Sequence, residues 1–190
     1  MDKPTSMLVE TNSYEEDEAA IIRAAQLNPA RFKPLYLRWI DPIYKYIFSM
    51  VRSQAVAEDL TAQVFLKACE QLPRYRHQGY FSAWLFTIAR NTANDYFRKT
   101  SRELPIEAAG QVVSGLDPLA EAIRSDELQR LDELIRSLPE DQQELIRLRY
   151  VAGLTYQEIG ALSHRSEDAI RKSLSRLISR LQNRLEVDHD

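Results

Sequence analysis

Apolar side chains recur at three- and four-residue intervals over most of this chain. That period admits one kind of fold, helices packed on helices. Ile21, Ile22 and Ala25 open it. Phe32, Leu35, Tyr36 and Trp39 follow, then Ile43, Tyr46, Ile47 and Met50. Leu60, Val64, Ala68 and Leu72 form the next stripe, with Phe65 beside it, and Pro73 stops that helix. Phe81, Trp84, Leu85, Ile88, Ala89, Thr92 and Tyr96 mark another. Runs of Val, Ile and Thr at strand length are scarce, and only 5 Gly interrupt 190 residues. The expected fold is all-α, in two small helical domains joined by a flexible linker.

The stripes fail in two places. Residues 1–18 are acidic and aperiodic and are expected to be a disordered tail, not a signal peptide. Residues 100–120 hold Pro105, Gly110, Gly115 and Pro118 and are expected to be the linker. One helical domain therefore spans 19–99 and a second 121–186. The net charge of −3 alone argues against a polyanion partner. Its distribution argues the reverse. Acids crowd residues 1–20 and 103–144, and bases crowd 74–102 and 165–185. Two basic islands on one chain suggest two nucleic-acid-binding surfaces. The single Cys69 excludes an internal disulfide framework, suits a reducing cytoplasm, and is expected in the core. No apolar run approaches bilayer length, so no membrane insertion is expected.

The second domain carries a sharper pattern. Ser137-Leu-Pro-Glu140 reads as a capping box opening a helix through about Val151, which Gly153 ends. Thr155-Tyr-Gln-Glu158 is a second capping box before a short helix. Ser163 to Arg165 form a turn, and Ser166 caps a last helix. A short helix, a turn and a longer basic helix make a helix-turn-helix. In the last helix Ile170, Leu174, Leu177 and Leu181 share one face, with Asp168, Lys172, Ser175 and Ser179 opposite and Arg171 and Arg176 flanking them. Arg, Lys and Ser at such positions reach base edges and phosphates in a major groove. Glu167 and Asp168 also suit the positive end of the helix dipole.

In the first domain, aromatic and basic residues interleave from Tyr75 to Lys99. Cations neutralise a phosphate backbone while aromatics stack on exposed bases. Trp84 and Ile88 fit a helix core better. Arg76, His77, Gln78 and Tyr80 cannot all be core, and are candidates to hold a flipped base.

Four segments, in order and at these spacings, resemble the extracytoplasmic-function (ECF) sigma factors. They are Phe32-Lys-Pro-Leu-Tyr, Ala57-Glu-Asp-Leu-Thr-Ala-Gln-Val-Phe-Leu-Lys-Ala, Phe81-Ser-Ala-Trp-Leu-Phe-Thr-Ile-Ala-Arg-Asn-Thr-Ala-Asn-Asp-Tyr, and Leu138-Pro-Glu with Leu154-Thr-Tyr-Gln-Glu-Ile-Gly. The resemblance implies sigma region 2, a linker and sigma region 4. It implies that the helix over 56–72 binds core RNA polymerase through Glu58, Asp59, Gln63 and Lys67. It implies that the loop 75–81 and the following helix melt the −10 element, with Arg76, His77, Gln78, Tyr80, Arg90, Asn91, Asn94, Asp95, Arg98 and Lys99 as candidates. Ser166, Asp168, Arg171, Lys172, Ser175 and Arg176 are the candidates at the −35 element. The implied partners are bacterial core RNA polymerase, promoter DNA and an anti-sigma factor, with a monomer when free. Three departures stand out: Ala62-Gln63 where the family has Gln before a carboxylate, Thr87 where it favours Arg, and His164-Arg165 in the turn.

Neither a catalytic triad nor a phosphate loop is evident, and the three histidines lack metal-ligand spacing, so no enzyme, cofactor or metal is expected. The residues alone leave other classes open. A stand-alone helix-turn-helix regulator would be a dimer on a palindrome. An RNA-binding protein would keep its affinity without residues 137–185.

Overall fold

The computed structural model describes residues 18–76, 79–103 and 126–187. Among these the regular structure is helical, with no strand. Helix α1 covers residues 18–27, and Asn28 caps the 3-10 turn Pro29–Phe32 by accepting from Ala30 N. Helix α2 is Lys33–Val51 and α3 is Gln54–Gln71. Leu72–Arg74 is a 3-10 turn, consistent with Pro73 stopping α3. Helix α4 is Phe81–Glu103. Helices α5, Asp126–Arg136, and α6, Glu140–Ile146, follow. The chain then widens into a π-turn over Arg147–Val151. Helix α7 is Tyr156–Ser163 and α8 is Glu167–Val187.

The predicted stripes form the core. Ile43, Tyr46 and Ile47 of α2 meet Val64 and Ala68 of α3 and Leu85, Phe86 and Ala89 of α4, all at 0 % exposure. Edge-on ring contacts fix the packing: Tyr46 and Trp39 both abut Phe86, with ring centres 5.3 and 6.2 Å away. In the second block, Leu148, Leu154, Ile159, Ile170 and Leu174 are buried. The two sets join in one continuous apolar core.

Local expectations are corrected in four places. Helix α4 runs to Glu103, so residues 100–103, expected in the linker, are helical. Ser137 does not cap α6. Its hydroxyl donates to the carbonyl of Leu134 at 2.7 Å, closing the end of α5, and Pro139 precedes α6 without a side-chain cap. The helix expected through Val151 changes to π geometry at Arg147. Cys69 is exposed rather than in the core. It lies one residue off the buried Leu60–Val64–Ala68 stripe, and 100° of rotation carries it outward. The acidic tail before residue 18 and the segment 104–125 lie outside the described residues.

Candidate nucleic-acid interface

The helix-turn-helix forms as its capping signals require. Thr155 Oγ1 accepts from Glu158 N at 3.2 Å, and Glu158 Oε2 accepts from Thr155 N at 2.7 Å, so the reciprocal box is complete. His164 ends α7 in the left-handed region, φ 54°, and donates its backbone N–H to Gly160. Gly160 is required by contact. A Cβ there would lie 2.6 Å from the carbonyl oxygen of Arg165. That close approach sets the turn between the two helices. Ser166 Oγ accepts from Ala169 N at 3.2 Å and starts α8.

Helix α8 buries Ile170, Leu174, Leu177 and Leu181, and leaves Asp168, Arg171, Lys172, Ser175 and Arg176 exposed. Of these, Arg171 is held in place. It pairs with Glu167, approaches Asp168 at 3.8 Å, and lies 5.6 Å from the ring centre of Tyr156. Arg149 lies 4.6 Å from the same ring. Tyr156 is thus a shared platform for two guanidinium groups. From sequence, Tyr156 is legible only as part of the Thr155–Glu158 capping box.

In the first block, Tyr75 anchors the start of the loop. Its ring stands 4.7 Å from Trp84 and 5.7 Å from Phe81, centre to centre. Burial, with the Glu18 carboxylate adding to it, pushes the Tyr75 phenol up to about 12. Gln26 Nε2 donates to the carbonyls of Leu72 and Tyr75, at 3.0 and 2.7 Å. Gln26 was not singled out from sequence, because a polar residue on an amphipathic helix carries no sign of a partner 49 residues away. Arg76 is exposed and Tyr80 half-buried at the rim of a cleft of about 370 Å³ that Trp84, Thr87 and His164 also line. His77 and Gln78 lie outside the described residues.

Along α4 the candidate residues differ in exposure. Asn91, Asn94, Arg98 and Lys99 are exposed, and Asp95 pairs with Arg98 at 2.8 Å. Arg90 is half-buried and close enough to Tyr46 and Glu144 to act on both electrostatically. Thr87, where the family favours Arg, turns its hydroxyl back to the carbonyl of Ala83 at 2.7 Å.

Helix α3 exposes Glu58, Asp59 and Gln63, with Leu66 at 65 % exposure beside them. Gln54 donates to Glu58 at 2.8 Å. Lys67 departs from this face. It is half-buried and donates to Thr92 Oγ1 of α4 at 3.0 Å, which makes it a tie between two helices.

Comparison with known proteins decides the family. The sigma-70 region 2 family matches residues 35–103, and the sigma-70 region 4 family matches residues 128–181. The chain belongs to the sigma-70 family, and its curated relatives place it in the ECF group. It is 32% identical to the ECF RNA polymerase sigma factor BldN of Streptomyces coelicolor, over 88% of this chain and 66% of that one. It is 28% identical to the ECF RNA polymerase sigma-E factor of Escherichia coli, over 90% of this chain and 94% of that one. The chain spans 66% and 36% of the first two curated relatives it matches. Among solved structures it resembles the sigma factor RpoE in complex with the anti-sigma factor NepR from Bartonella quintana. There the identity is 28% and the TM-score 0.62, over 83% of this chain and 98% of that one. No helix among the described residues is long and apolar enough to cross a membrane.

Proposed function

We propose that this chain is an ECF-type sigma factor that binds bacterial core RNA polymerase and directs it to promoters, with no catalysis of its own, in the cytoplasm. The observation that carries the reading is the solvent face of α8. Lys172, Ser175 and Arg176 stand together behind a fully capped helix-turn-helix, on a helix fixed by four buried aliphatic residues. That arrangement suits a major groove at the −35 element. Ser166 serves this helix as its cap, and Arg171, restrained by Glu167 and Tyr156, enters with little side-chain entropy left to lose.

The −10 function falls to the loop after Tyr75 and to the outer face of α4. Arg76 and Tyr80 flank the cleft, while Asn91, Asn94, Arg98 and Lys99 supply donors and charge along the helix. An unpaired strand held there would convert the cost of unstacking into sequence preference. Core polymerase docks on Glu58, Asp59 and Gln63, with the exposed Leu66 adding apolar area. An anti-sigma factor as a further partner is supported by the resemblance to RpoE, which is solved bound to one.

Sizing chromatography with core RNA polymerase tests the docking assignment. We expect stoichiometric co-elution of the wild-type chain and at least tenfold weaker association of Asp59→Arg. A chain that ignores core enzyme and binds duplex DNA as a dimer would overturn the reading in favour of a stand-alone regulator.

A further inference from the structure

Arg165, one of the turn residues that depart from the family pattern, has a destination. It is exposed, yet its Nη2 donates to Ser173 Oγ of α8 at 2.6 Å and stands 3.5 Å from the carbonyl oxygen of Ala169. Both contacts use one nitrogen. Among the described residues its Nε and Nη1 make no hydrogen bond, and their N–H groups are left for a ligand. The guanidinium lies on the wall of a cleft of about 600 Å³ between α6 and α8, which Arg176 and Arg180 also line. Arg180 Nη2 donates to Gln142 Oε1 of α6 at 2.9 Å, a neutral acceptor. Asp141 is the one acid of this lining among the described residues, and it pairs with none of the three arginines.

Other arginines of this block are neutralised: Arg136 by Asp132, Arg147 by Glu140 and Arg171 by Glu167. Three guanidinium groups around one cleft, with no ion pair among the described residues, make a positive surface that attracts an anion. Ser173 adds a hydroxyl that accepts from Arg165 and keeps its own proton to donate. Planar guanidinium groups with a hydroxyl beside them are the donor set for a phosphate. The place of the cleft decides which phosphate. Counted round α8 at about 100° per residue, Arg176 lies about 40° from Lys172, Arg180 about 80° and Ser173 about 100°, all to one side. The cleft therefore starts at the reading face and continues onto the flank of the helix. A helix about 10–12 Å across fills a major groove about 12 Å wide, so its flank meets the groove wall, which is a sugar–phosphate strand.

We propose that Arg165, Ser173 and Arg180 clamp a backbone phosphate at one wall of the −35 major groove, and so fix the register of α8 while Lys172, Ser175 and Arg176 read base edges. This inference rests on the sigma reading above and adds three residues to its DNA-binding surface. The ligand is a phosphodiester of duplex DNA, held without regard to the base that carries it. Arg165 reaches the strand from the turn, braced by Ser173, and Arg180 reaches it from the end of α8, braced by Gln142.

The test binds holoenzyme, assembled from core polymerase and the full chain, to a promoter duplex taken from a chain-dependent start site. One phosphate at a time around −35 is replaced by an uncharged methylphosphonate. We expect the wild type to lose about tenfold in affinity at one or two adjacent phosphates of one strand. Arg165→Ala and Arg180→Ala should each start about tenfold weaker, on cognate and base-substituted duplexes alike, and the same methylphosphonates should then cost nothing further. Arg165→Lys, which keeps the charge, should recover part of the loss. A loss confined to one base pair makes Arg165 a base reader and overturns the clamp. A loss that adds to that of every methylphosphonate makes Arg165 a brace for the turn and overturns it too. Unchanged DNA binding, with inorganic phosphate bound by the wild type and not by Arg165→Ala, assigns the cleft to a free phosphate and also overturns the clamp. If no chain-dependent start site is found, the sigma reading fails, and the clamp is decided on a random-sequence duplex. There Arg165→Ala should lower the slope of log affinity against log salt by about one, and an unchanged slope overturns the clamp.

Discussion

Two carboxylates show how one interface imposes opposite pH responses at the level of single residues. Burial raises the pKa of both Asp132 and Glu144 in isolation. At Asp132 the hydrogen bond and charge of Arg52, with Arg136 at 2.7 Å, outweigh burial and hold the carboxyl below its usual range. At Glu144 burial wins over the Tyr46 hydroxyl and Arg147, and the carboxyl sits above its usual range. The signs follow from linkage. Asp132 contributes stability that is present above its unfolded pKa of about 3.9 and is lost as pH falls through its lower folded value. Glu144 contributes stability that is full below its unfolded pKa of about 4.3 and is lost as pH rises through its higher folded value. Melting temperature followed from acid to neutral pH should therefore flatten on the acid side in Asp132→Asn. In Glu144→Gln, which keeps an acceptor for Tyr46, stability relative to wild type should grow as pH rises. Parallel curves for wild type and both variants would contradict these assignments.

Among the elements, the turn between α7 and α8 is the most demanding. Gly160→Ala drives a Cβ against the backbone of Arg165, an atom that no side-chain rotation can move, and should cost about 1–3 kcal/mol. His164→Gly relieves a left-handed residue of its Cβ and should stabilise by up to about 1 kcal/mol. Urea unfolding measures both. On α8, Lys172→Ala and Arg176→Ala should each reduce the slope of log affinity against log salt by about one, through lost phosphate contacts, whereas Ser179→Ala should leave it unchanged. This helix was also the best determined from sequence. Its buried stripe at Ile170, Leu174, Leu177 and Leu181 and its exposed face both follow from a 3.6-residue period that needs no knowledge of neighbours. Local sequence specifies the caps at Thr155 and Ser166, whereas the hydroxyl of Ser137 satisfies the preceding helix instead of the following one. Tertiary destinations were out of reach. That Lys67 ties α3 to α4, that Arg90 turns toward Glu144, and that Tyr156 carries two arginines depend on which helices meet. A helical period states which face is buried and leaves the partner open.

For the whole molecule, the segregated charge and the break between two helical blocks pointed to two reading surfaces, and the family matches fall on either side of residues 104–127. What neither pattern contained is the packing of the second block against the first. The Tyr46 hydroxyl bonds Glu144 of the second block, and buried residues of both blocks belong to one apolar core. The chain is a pair of helical blocks, and the proposed reading surfaces on them are what would direct core polymerase to a promoter. The central claim is that this chain chooses where core polymerase starts. The direct measurement is transcription by core polymerase on bacterial genomic DNA with and without the chain, mapping the 5′ ends of the transcripts. The account predicts new, discrete start sites that depend on the chain, share sequence near −10 and −35, and lose their −35 preference with Lys172→Ala plus Arg176→Ala. Start sites identical to those of core polymerase alone would contradict it.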